Sequence, residues 1–212
     1  MIPLADRVSI IIGHAEAFAD EAADLRIFEL SDRLRLKASR LAIDQELVEA
    51  KVTMVRRTRV ARIEAIRALR AHNHRFEVEL STRLPAKDAA EFLKTARVSA
   101  TSLATFRLRR LTLVQEQVLG PIVANLRAAL AAVERADEEH LTAVAAEIAA
   151  SAACNGRAAR LRVDLERAKA ELLAVLPQGC DAWRRVRRRV VRTRRPDARP
   201  SPASTAEGDP VD

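Results

Sequence analysis

The sequence predicts an all-α fold: an antiparallel helical bundle or coiled coil with a long N-terminal helix and a basic C-terminal segment. Three observations carry that prediction. Apolar residues recur at alternating spacings of three and four along most of the chain, the period of one helix face. The composition is 49% hydrophobic but only 3% aromatic, with five glycines, which suits a bundle better than an aromatic-rich core. Residues 4–84 contain one glycine, Gly13, and no proline, so little in them interrupts a helix.

The heptad pattern is clearest at the start. Leu4, Val8, Ile11, Ala15, Phe18, Ala22 and Leu25 follow one another at spacings of 4, 3, 4, 3, 4 and 3, a seam that packs against another helix of the chain or against a partner helix. Leu30, Leu34, Ala38, Leu41, Val48 and Val52 continue it in a shifted frame. Ser31-Asp32 offers side-chain acceptors for freed N–H groups, which places a break near residues 29–33. Pro85 ends this region, because the residue before a proline is pushed out of the helical conformation.

Asp88 with Glu91 then reads as a capping pair opening a second helix over about 87–119. Gly120-Pro121 combines a C-terminal stop with a first-turn start, so a third helix runs over about 121–153, with Leu141 and Ile148 among its core positions. Asn155-Gly156 is a turn signal. A fourth helix over 157–176 carries Leu161, Leu165, Ala168, Leu172 and Val175, and Pro177-Gln178-Gly179 ends it. Short connections between such helices make antiparallel neighbours. The organisation read from the sequence is a long N-terminal coiled-coil region (1–84), a bundle packing on it (85–177), an arginine-rich amphipathic segment (181–195) and a disordered tail (196–212).

The charge is unevenly distributed. Between Trp183 and Arg199 lie nine arginines and one aspartate, a net +8 that equals the formal charge of the whole chain. Guanidinium forks pair bidentately with phosphate and carboxylate. The candidate nucleic-acid-binding residues are therefore Arg184, Arg185, Arg187, Arg188, Arg189, Arg192, Arg194 and Arg195. Trp183, Val186 and Val190 give the segment one apolar face. Like charges at i,i+4 oppose its helix in isolation, so an anion is expected to help order it.

Several functions are disfavoured. No G-x-S-x-G, Walker A or G-x-G-x-x-G motif is present, which leaves no cofactor predicted and the chain expected not to be an enzyme. No metal site is predicted: His72 and His74 point apart on a helix, and none of the four histidines has Glu three residues before it, as a di-iron bundle needs. Asp137-Glu138-Glu139-His140 reads as a solvated acidic patch or a resting place for the arginines. Cys154 and Cys180 are too far apart along a helix for a bridge. No targeting or transmembrane segment is apparent, so the expected location is cytoplasmic.

These features predict a helical assembly protein that contacts nucleic acid non-specifically through its arginines. The alternative is a structural or scaffold coiled coil docking on a protein assembly or anionic membrane surface, with the arginines meeting an acidic protein surface and homo- or hetero-oligomerisation through the residue 4–25 seam.

Overall fold

A computed structural model describes residues 4–93 and 98–189. Among these residues the chain forms six helices and no strand: α1 (Leu4–Asp24), α2 (Phe28–Arg83), α3 (Ala86–Leu93), α4 (Ala100–Arg110), α5 (Leu113–Val175) and α6 (Asp181–Arg188). The chain groups into two compact units, Met1–Ala42 with Gly156–Asp212, and Ile43–Asn155. Both α2 and α5 contribute to each, so neither unit is a contiguous block such as 1–84 or 85–177.

In the first unit α1 packs back within the chain. Val8, Ile11, Ala15, Phe18 and Ala22 are buried, and Leu25 is half-buried. The side chain of Leu4 lies outside the described residues. Burial of each large seam side chain stabilises the unit by about 1.5–3 kcal/mol. Leu30, Leu34, Ala38 and Leu41 of α2 and Leu161, Leu165, Ala168 and Leu172 of α5 are buried in the same unit. Arg33 with Glu171 and Lys37 with Asp164 pair α2 with α5; the rising and falling numbers show that the helices run antiparallel.

The break after α1 falls at residues 25–27, earlier than the sequence suggests. Ile27 N donates to Ala22 O at 2.8 Å and Arg26 N to Ala23 O at 2.9 Å, a Schellman closure. Its left-handed position is occupied by Arg26, with φ 61°, where glycine is usual. No glycine announces the turn, and Ser31 lies buried inside α2 instead of capping it.

In the second unit, Thr58 of α2 meets His140 of α5 at 3.1 Å and Arg62 pairs with Asp137, again antiparallel. A larger core joins Leu69, Phe76 and Leu80 of α2, Phe92 of α3, Ala104 of α4, and Leu119, Val123, Leu126 and Val133 of α5. Phe76 and Phe92 meet edge to face with centroids 6.4 Å apart.

Three predicted boundaries are corrected here. The single helix expected over 87–119 is divided: Ser99 caps α4, and Thr112 with Gln115 forms a reciprocal capping box at the start of α5 (Thr112 N to Gln115 Oε1, 3.1 Å; Gln115 N to Thr112 Oγ1, 3.3 Å). Gly120-Pro121 lies inside α5. An interior proline costs about 3 kcal/mol, but Leu119, Val123 and Leu126 are all buried around it, and each returns about 1.5–3 kcal/mol. Asn155-Gly156 also stays helical; glycine there costs only about 1 kcal/mol, and Cys154 and Ala158 are buried on either side of it.

The predicted core of this stretch is corrected as well. Leu141 and Ile148 are 68% and 60% exposed, because the inward face carries Val133, His140, Ala143 and Cys154.

Candidate functional site

The arginine-rich segment begins where α5 is forced to end. Pro177 breaks the helix and Gly179, with φ 85°, turns the chain. Cys180 then caps α6, its Sγ accepting from Trp183 N at 3.3 Å. Asp181 sits in the first turn and pairs with Arg184 at 3.5 Å, where a negative charge suits the helix dipole. Arg185, Arg187 and Arg188 occupy the last turn, where positive charge suits it. These placements offset part of the repulsion among the arginines.

Tertiary contacts fix which way α6 faces. Val186 is fully buried. Arg185 grips Glu21 of α1 with Nε at 2.8 Å and a terminal nitrogen at 3.3 Å. Glu21 is only 7% exposed, and its hydrogen bond and charge raise the Arg185 pKa. Arg189 lies 6.0 Å from the Phe18 ring centroid, and its carbonyl accepts from Lys169 Nζ at 2.8 Å. One turn earlier on α1, His14 is half-buried. Burial, and then the charge of Arg189, lowers its pKa below the ordinary 6.5.

The candidate arginines therefore divide into two groups. Arg185 and Arg189 contact α1, Arg185 with 55% of its side chain still exposed, and Arg184, Arg187 and Arg188 are exposed as well. Arg187 stacks on Trp183 at 4.7 Å from its ring, which holds the guanidinium plane outward. Arg192, Arg194, Arg195 and Val190 lie outside the described residues, as does the tail at 196–212.

Asp137 pairs with Arg62, and His140 bonds Thr58 in the helix seam, whereas the arginine segment finds its carboxylate in Glu21. Sequence spacing gave no sign of that partnership, since 164 positions separate the two residues. Among the described residues no group of three or more His, Cys, Asp or Glu side chains is placed to hold a metal ion. Neither Cys154 nor Cys180 is in a disulfide, and no helix is long and apolar enough to cross a membrane.

A second concentration of positive charge was hidden in the sequence. A groove of about 740 Å³ between α2 and α5 of the first unit is lined by Lys37, Arg40, Arg157, Arg160, Arg167 and Asp164 over an apolar floor at Leu161. Counting residues by segment hides it, because its cations come from α2 and α5, far apart in sequence.

Comparison with known proteins gives no match to a protein family, a curated protein or a solved structure.

Proposed function

We propose that this chain is a non-enzymatic, cytoplasmic helical assembly protein that contacts nucleic acid non-specifically through its arginine-rich C-terminal segment. The observation that supports this best is the division of labour on α6. Val186 and the Arg185–Glu21 pair anchor the helix, which leaves Arg184, Arg187 and Arg188 turned to solvent. Anchored guanidiniums lose less freedom on binding a phosphate than those of an unfolded tail. Contacts of this kind place a protein on a backbone without reading bases.

The test compares the full chain with an R184A/R187A/R188A variant on a 20-base-pair duplex over a salt series. Each lost phosphate contact lowers the slope of log K against log salt by about 0.9, so the variant's slope should be shallower by about 2 to 3. An unchanged slope would remove α6 from the interface.

A scaffold role is the second reading, supported by a different observation. Ile43, Leu47 and Met54 stand exposed on one stripe of α2, at heptad-compatible spacings of 4 and 7, whereas Val8, Ile11, Ala15, Phe18 and Ala22 of the α1 seam are already buried. On this reading a second copy covers the stripe. Sedimentation equilibrium would then show a dimer that Leu47→Lys dissociates; a monomer at all concentrations rejects it.

A further inference from the structure

We propose that the groove between α2 and α5 in the first unit is a second phosphate-binding site, built to take a run of phosphates along a polyanion. It uses no residue of the 183–199 segment and stands whether or not α6 binds nucleic acid.

The charge balance of the groove is the first argument. Five cations line it against one carboxylate, Asp164. That carboxylate is already engaged by Lys37 Nζ at 2.6 Å. Arg40 and Arg167 have no ion pair among the described residues, and Arg160 donates only to the carbonyl of Gly156, at 3.3 Å. Basic residues one or two turns away behave differently: Arg33 is matched by Glu171 and Arg35 by Asp20. Packing like charges together costs free energy in the ligand-free chain, and an anion relieves it.

The spacing is the second argument. Arg157, Arg160 and Arg167 follow the groove edge of α5 over ten residues, a run of about 15 Å. Over that length one strand of B-form DNA presents about four phosphates. Arg40 reaches the same groove from α2, so a bound strand is flanked from both helices. With cations on both helices over the apolar floor at Leu161, the field of these charges is focused into the groove and raises the local concentration of anions. Arginine's planar fork, which predominates here over lysine, suits phosphate oxygens bidentately.

A strand of nucleic acid and a free inorganic polyphosphate chain share this chemistry, and the test separates them. The full chain and an R40A/R160A/R167A variant are titrated with a 20-base-pair duplex, sodium tripolyphosphate and poly-glutamate, with R184A/R187A/R188A run in parallel. The groove variant should lose at least tenfold in affinity for the duplex or for tripolyphosphate. If the duplex alone responds, the source is nucleic acid; if tripolyphosphate alone responds, it is free polyphosphate. The α6 variant should keep the groove-dependent part, so failure of one site is distinguishable from failure of the other. Far-UV circular dichroism checks that helicity is unchanged. Nε–Hε resonances of Arg40, Arg160 and Arg167 in the unaltered chain, which should move on titration, test the site without any substitution. Phosphate binding that survives the groove variant at full strength, arginine resonances that stay still, or binding of poly-glutamate alone would each overturn the proposal.

Discussion

Replacing Glu77 with alanine should destabilise the chain far more than its position on the edge of α2 suggests. Arg107 of α4 is fully buried. Its guanidinium donates to Asn73 O at 2.9 Å and Asn73 Oδ1 at 3.2 Å, lies 5.6 Å from the Phe76 ring centroid, and among the described residues pairs with the carboxylate of Glu77. Asn73 is held in turn by Nδ2 donating to Ala100 O at 3.0 Å. Removing one partner of a buried pair costs about 3–5 kcal/mol, because the other charge is left uncompensated. The two Asn73 bonds persist and the Glu77 side chain is 37% exposed, which places the loss near the lower end, at about 3 kcal/mol. With a urea slope of about 3 kcal/mol per molar for a chain of this size, the unfolding midpoint should fall by about 1 M. The double variant E77A/R107M removes the stranded charge and fills its space with an apolar side chain, so it should be more stable than E77A alone. A midpoint for E77A within 0.2 M of the parent, or a double variant less stable than E77A, would refute this reasoning.

Arg26→Gly should raise stability by about 0.5–1 kcal/mol in the same urea titration, since a side chain in the left-handed region costs about 1–2 kcal/mol and glycine gives part of that back as chain entropy; a lower midpoint would count against the Schellman account. His14 gives the pH dependence. Its lowered pKa means that below about pH 6.5 the unfolded chain takes up a proton which the folded chain resists, so stability should fall as the pH drops through that value and His14→Gln should flatten the slope. Because Arg189 is one cause of the shift, a duplex docked on α6 should raise the His14 pKa in an NMR titration; no change on saturation would mean that the anion does not reach Arg189.

Helix existence was legible in the sequence because it rests on a period that the chain repeats. Val8 to Ala22 and Leu161 to Leu172 are buried as their spacing predicts. Helix ends were less legible. The αL position after α1 carries arginine, so the strongest stop signal was missing, and Gly120-Pro121 supplied a strong signal that burial of its neighbours overrides. The Thr112–Gln115 capping box is visible as T-x-x-Q, but the apolar Leu111 and Val114 on either side of it mask the break. In the middle of α5 the inward residues are His140 and Ala143, polar and small, while Leu141 and Ile148 stand outward; hydrophobicity alone chooses the wrong face there.

The candidate site was half legible. A run of arginines is evident from composition, and α6 follows from its apolar positions. Which arginines are spent on holding the helix depends on Glu21 and Phe18, which only folding brings near. The groove is less legible still, because Lys37 and Arg40 lie more than a hundred positions from Arg157, Arg160 and Arg167.

The most direct test of phosphate contact without base readout is the salt dependence of binding for two 20-base-pair duplexes of unrelated sequence. The account predicts equal affinities for the two and parallel lines of log K against log salt, each with a slope of at least about −3. Binding that favours one duplex by tenfold or more, or that does not weaken with salt, would contradict it.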